Sequence, residues 1–158
     1  IGEAMIGSEP FAVILPDDLC FGSELSVIDQ MVKLYEQYNC SVIAIEEVPR
    51  EETHRYGVIA GEEESAGIFR VSDMVEKPSV DVAPSNLAII GRYVLTPDIF
   101  PILKNTPPGK NNELQITDAL RTQAKEGNVI GYKFKGQRFD CGSIEGFMKA
   151  TNFVYSKI

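Results

Sequence analysis

Positive charge is scarce in this sequence: 15 lysines and arginines stand against 23 aspartates and glutamates, a formal net charge of −8. Such a surface repels nucleic acid and anionic lipid, which removes both from the expected partners. Any phosphate ligand then needs a local cation or a metal ion. Long apolar runs are missing too, since none approaches the ~20 residues of a membrane span, and the N-terminus lacks the basic-then-apolar order of a signal peptide. Cysteine is limited to Cys20, Cys40 and Cys141, an odd set that cannot pair fully within the chain and whose spacing matches no zinc ligand set. A soluble protein of a reducing cytoplasm is the expectation. Histidine occurs once, as His54 in PREETHRY, with no Ser or Cys arranged beside it for nucleophilic catalysis, so a surface role is expected.

What is present suffices for one compact α/β domain over residues 1–158, because 44% of the residues are apolar and can fill a core. FAVIL at 11–15 reads as a strand buried on both faces, ended by Pro16. Ser23 predicts the cap of a helix over about 24–38, with Leu25, Ile28, Val32 and Tyr35 on its apolar face. SVIAIEEV at 41–48 predicts the next strand, and the order describes a right-handed crossover unit with short connections. YGVIAGEE, AGIFRVSDMVEK and SNLAIIGRYVL predict hairpins and antiparallel pairing, hence a mixed sheet, with the acidic run Glu62 to Glu64 in a solvated turn. Thr96 and Pro97 open a short helix, and NTPPGKNN at 105–112 reads as a turn-rich, mobile loop. ELQITDALRTQAKEG predicts a helix of about 13 residues with Leu114, Ile116, Leu120 and Ala124 on one face and Gly127 at its end. VIGYKFKG reads as a strand and QRFDCG as an extended piece. Ser143 caps a last helix carrying Phe147, Ala150, Phe153 and Val154.

Several acidic and cationic residues fall where strands end, the usual place for ligands in open α/β sheets. Asp17 and Asp18 follow the first strand directly; they suit a ligand site or the capping of the next helix. Asp140 sits ahead of the Ser143 cap and could join Asp17 on one Mg2+, an ion that accepts one or two carboxylates plus phosphate oxygens and water; an acidic turn residue is the other reading. Gly142 permits either a tight turn or close approach to a ligand. Glu76 and Lys77 alternate in direction if both lie on a strand, and Pro78 then stops pairing, so the pair is either a site holding hydroxyls and phosphate or an ordinary solvated strand end. Cys141 is an unpromising nucleophile, since the adjacent Asp140 raises a thiol pKa.

Taken in order, EPFAVILPDDL, RYGVIAG, VEKP, SNLAIIGRYVLTPDIF, NNELQITDAL and RFDCGSIEGFMKATNFVYS span nearly the whole chain. Together they resemble the bacterial-type UTP–glucose-1-phosphate uridylyltransferases, a group of sugar-phosphate nucleotidyltransferases. The resemblance implies a Rossmann-like nucleotide-diphospho-sugar transferase fold with a mixed central sheet. It implies Mg2+ ligation by Asp17 and Asp140, glucose hydroxyls bound by Glu76, and the sugar phosphate bound by Lys77, with Lys77, Asp17 and Asp140 as the catalytic set. Gly57 matches a glycine whose backbone faces the sugar, Ala88 and Ile89 fall where main-chain sugar contacts are expected, and Asp18 is a further candidate at the sugar end. The implied reaction joins UTP and glucose-1-phosphate into UDP-glucose and pyrophosphate by charge neutralisation and in-line positioning, with no covalent enzyme intermediate.

Members of the group open with a glycine-rich loop of the form GGxGTRxxPxT, and no such loop occurs here. IGEAMIGSEP at 1–10 reads as a helix tail, so the chain is expected to be the later, N-terminally truncated portion of the domain, with little transferase activity alone. An exposed sheet edge or apolar surface would then favour a homo-oligomer. The competing function is a non-catalytic sugar-phosphate or nucleotide-sugar binding module. Within the enzymes, thymidylyl or adenylyl transfer to glucose-1-phosphate is the alternative to uridylyl transfer.

Overall fold

A computed structural model describes residues 2–109 and 112–158. The positions 110 and 111 of the loop expected to be mobile lie outside the described residues. In chain order the elements are α1 (Gly2–Ile6), β1 (Phe11–Ile14), β2 (Asp18–Gly22), α2 (Val27–Tyr38), β3 (Ser41–Glu47) and a 3-10 turn (Arg50–Arg55). There follow β4 (Gly57–Ser65), β5 (Ile68–Glu76), β6 (Leu87–Leu95), α3 (Ile99–Asn105), α4 (Ile116–Lys125), β7 (Val129–Tyr132), β8 (Gly136–Asp140) and α5 (Ile144–Tyr155).

Six strands form one sheet in the order β1-β6-β3-β7-β5-β4, and β4 also touches β6 through Val58 and Ala88. Among the described residues only β3 and β7 pair in parallel; the other pairs are antiparallel, which makes the sheet mixed as expected. Strands β2 and β8 form a separate antiparallel ribbon. The nine residues of β6 are all buried, because it is paired on both sides and covered on both faces. Alternation along β3 sends Ile43 and Ile45 into a core with Ile99 of α3 and Leu120 of α4, while Val42 and Ala44 meet Met31 of α2 on the opposite face. A buried polar knot fixes α4 against the strand ends: Gln123 donates to Thr96 Oγ1 at 3.0 Å and to Asp98 Oδ2 at 2.9 Å, and accepts from Ser41 Oγ at 3.0 Å.

Several sequence expectations are corrected. FAVIL is an edge strand with alternating burial, not one buried on both faces, because it pairs with β6 alone. Helix α2 is capped by Ser26, whose side chain accepts from the Asp29 amide, rather than by Ser23. Its buried face is Val27, Met31 and Leu34, and Leu25 and Val32 are exposed; both sets fit a helical period, and burial by the sheet decided between them. The connection from β1 to β3 is not a short crossover, since β2 interrupts it and β6 lies between the two strands. Glu62 to Glu64 lie within β4, where pairing with β5 runs out to Ser65, so the turn falls later, at Ala66 and Gly67. Helix α4 starts at Ile116, leaving Leu114 exposed, and the strand predicted over VIGYKFKG breaks after Tyr132 and resumes as β8 at Gly136.

Candidate active site

A cleft of about 360 Å³ opens between the six-stranded sheet and the β2–β8 ribbon. Of the residues singled out from sequence, Asp17, Asp18, Gly57, Glu76, Lys77, Ile89 and Asp140 line it. Ala88 does not; it is fully buried in the ladder between β3 and β4. A roomier cleft of about 610 Å³, bordered by Pro101, Pro107 and Arg121, holds none of them.

The sheet side of the cleft is built from the ends of β4 and β5. Gly57 pairs with Glu76 in register, and a Cβ on Gly57 would lie 3.1 Å from both Glu76 Oε2 and Ile89 Cδ1 and 3.2 Å from Thr117 Oγ1. Glycine therefore keeps this wall open. Thr117, buried at the start of α4, donates to Glu76 Oε2 at 2.6 Å and fixes one carboxylate oxygen. The other, Oε1, lies 3.8 Å from Lys77 Nζ. Alternation along a strand would send the two side chains apart, yet both reach the cleft. The reason is local: β5 ends at Glu76, and Lys77 turns to φ 44°, a left-handed conformation uncommon outside glycine and a mark of backbone held under strain. The Lys77 amide, donating to Tyr56 O at 2.9 Å, holds that turn. Burial pushes the Tyr93 phenol beneath this wall above its ordinary pKa, and the Glu76 and Asp18 carboxylates add to the effect.

The ribbon side carries the carboxylates. Asp18 and Asp140 stand opposite each other in the β2–β8 register, and the Cys141 amide donates to Asp17 O at 2.7 Å. A Cβ on Gly142 would lie 3.1 Å from Asp140 Oδ1 and 3.5 Å from Asp17 Oδ2, so both carboxylates converge on this glycine. Asp140 Oδ1 here accepts from the Gly142 amide at 3.1 Å; it and Asp17 Oδ2 are hard oxygen donors of the kind Mg2+ takes, that ion completing its shell with water and phosphate oxygens. Among the described residues no group of three or more His, Cys, Asp or Glu side chains is placed to hold a metal ion, so a cation here would rely on that carboxylate pair. Asp140 Oδ2 is turned the other way, accepting from Arg55 Nη2 at 3.0 Å and from the Tyr56 hydroxyl at 3.4 Å. Asp18 is buried, with Oδ2 accepting from the Gly91 amide at 2.7 Å and Oδ1 from Arg138 Nε.

Sequence reasoning missed Arg138, Thr117, Arg55 and Tyr56. Arg138 sits two residues before Asp140 and therefore on the same face of β8, a signal that was readable. Burial opposes its charge, but the Asp18 carboxylate more than offsets this and holds the guanidinium above its usual range. Thr117 gave no local signal, since α4 and β5 meet only in the fold. His54 is exposed, as expected. The cysteines are free thiols; burial pushes Cys20 up to about 11 and raises Cys40 as well, leaving both poor nucleophiles near neutral pH.

A mixed sheet with carboxylates and a lysine gathered at one cleft is an arrangement suited to handling phosphates, and comparison with known proteins gives the class. A family model described as nucleotidyl transferase matches residues 1–157, and the chain belongs to that family. Within it, the chain is 63% identical over 158 residues to the UTP–glucose-1-phosphate uridylyltransferase of Pseudomonas aeruginosa, covering 99% of this chain and 57% of that protein. A solved UDP-glucose pyrophosphorylase complexed with UDP-glucose superposes with a TM-score of 0.95 at 61% identity, over 99% of this chain and 60% of that one. A UTP-bound enzyme of the same name from Acinetobacter baumannii gives 0.84 at 34% identity, over 97% and 53%. The chain thus spans less than two thirds of the length of these relatives. No helix among the described residues is long and apolar enough to cross a membrane.

Proposed function

We propose that this chain carries the sugar-phosphate and metal-binding part of a UTP–glucose-1-phosphate uridylyltransferase, the enzyme that makes UDP-glucose and pyrophosphate from UTP and glucose-1-phosphate. The observation that carries the reading is the convergence of Asp17, Asp140, Glu76 and Lys77 on one cleft, in a chain so similar to proteins of that name. Uridylyl transfer is favoured over thymidylyl or adenylyl transfer by those same relatives.

In this reading the Lys77 ammonium meets the phosphate of glucose-1-phosphate. Glu76, with Oε2 fixed by Thr117, accepts from glucose hydroxyls through Oε1. The open backbone at Gly57 and the Ile89 wall set how closely the sugar seats. A glucose-1-phosphate oxygen then attacks the α-phosphorus of UTP while the bond from that phosphorus to the pyrophosphate oxygen breaks. Positioning and charge neutralisation supply most of the acceleration for such a transfer. Asp17 and Asp140 would hold Mg2+, which when bound neutralises phosphate oxygens. Three free thiols suit a cytoplasmic setting.

Titration calorimetry of the chain with UDP-glucose tests the reading. Binding that appears or tightens with Mg2+ is the expected result; no binding by a chain that melts cooperatively would overturn it. Self-association belongs to the same proposal, motivated by exposed Ile14 on edge strand β1 and exposed Ile144, Phe147 and Tyr155 on α5. Sedimentation velocity is expected to show a species heavier than the 17.5 kDa chain, and a monomer at all concentrations would remove homo-oligomerisation from it.

A further inference from the structure

The two ends of the cleft rest on different sheets. Glu76 and Gly57 belong to the six-stranded sheet, with Lys77 just past β5, whereas Asp140 ends β8 of the ribbon and Asp17 immediately precedes β2. Their spacing therefore depends on whatever locks the ribbon to the sheet.

Arg138 is placed to do this. Its side chain is only 7% exposed, and its guanidinium reaches three carboxylates on three strands. Nε donates to Asp18 Oδ1 on β2, Nη1 donates to Glu46 Oε2 on β3 at 3.1 Å, and Nη2 lies 3.8 Å from Asp140 Oδ2 on its own strand. The far oxygen of Asp18 takes the Gly91 amide of β6, so the chain of bonds runs from β8 through β2 into the centre of the main sheet. The guanidinium also lies 5.3 Å over the Tyr56 ring, whose hydroxyl donates to Asp140. The register adds a charge argument. Asp18 and Asp140 are direct cross-strand partners, and like charges so placed repel. A fixed cation beside both offsets that repulsion.

We infer that Arg138 is a positioning residue that holds the Asp140 carboxylate in its metal-binding geometry by clamping the β2–β8 ribbon to β3 and β6. This rests on the metal reading of Asp17 and Asp140. Lysine would keep the charge and lose the planar fork that reaches several carboxylates at once, and partners that orient metal ligands commonly account for about 10–100-fold in metal affinity.

Mn2+ binding to the full chain, followed by electron paramagnetic resonance without nucleotide, tests the inference in wild type, Arg138→Lys and Arg138→Met, each beside a thermal melt. The folded lysine variant is expected to bind Mn2+ at least about tenfold more weakly, and the methionine variant no better. A purely structural role would lower the melting temperature and leave the affinity of the folded protein unchanged. Simple electrostatic repulsion would make Arg138→Met bind more tightly; either outcome overturns the inference. If the methionine variant does not fold, Glu46→Gln loosens the most exposed of the three arms, and a several-fold weaker affinity is expected there. Wild-type affinity in both Arg138→Lys and Glu46→Gln also overturns the inference while leaving the metal reading standing. No Mn2+ binding by folded wild-type protein removes the metal reading and the inference with it.

Discussion

Replacing Asp140 by asparagine in the full-length protein is expected to lower metal-dependent turnover by about 10²–10³, the loss typical of removing one member of an electrostatic site. The substitution keeps the shape of the side chain and one acceptor oxygen for Arg55 and Tyr56, which now meet Oδ2. It removes the negative charge that, with Asp17, faces Gly142. Turnover should therefore recover in part as Mg2+ is raised. Turnover measured across a Mg2+ series separates the outcomes: a variant as active as wild type at every concentration takes Asp140 out of the site.

Lys77→Ala is expected to raise KM for glucose-1-phosphate by about 10², with a smaller effect on the KM for UTP, because a lost charge-assisted contact to phosphate costs about 1.5–3 kcal/mol. Lys77→Gly offers an internal control. Lys77 sits at φ 44°, where a side chain costs roughly 1–2 kcal/mol relative to glycine. Glycine should thus melt above alanine while losing as much substrate affinity. Steady-state kinetics beside melting curves would show this ordering; unchanged kinetics in both variants would remove Lys77 from the site.

The sequence made the fold readable where side-chain period and pairing agree. β3, β6 and the Ser143 cap of α5 follow from apolar runs and a capping serine, and the structure has them in place. It misled where two local choices were equally good. Ser23 and Ser26 can both cap a helix, and only packing of Met31 against the sheet selects Ser26. The site divides in the same way. Asp17, Asp140, Glu76 and Lys77 stand out because charged groups at strand ends are legible residue by residue. Thr117, Arg55 and Tyr56 come to the cleft from elements distant in the chain. Their partners, Glu76 and Asp140, are 41, 85 and 84 residues away, and no local pattern records such meetings. Strand alternation failed at Glu76 and Lys77 because the backbone leaves the strand between them.

Strand β6 supplies the Gly91 amide that seats Asp18 on the ribbon side and the Ile89 side chain that walls the sugar side. On the proposed reading, two binding events thus lean on one buried, doubly paired rod. Shifts of that rod would be felt at both ends, so occupancy by the cation and by the sugar phosphate should be thermodynamically linked, and linkage is reciprocal. Whatever factor Mg2+ contributes to the affinity for glucose-1-phosphate, glucose-1-phosphate must return to the affinity for Mg2+.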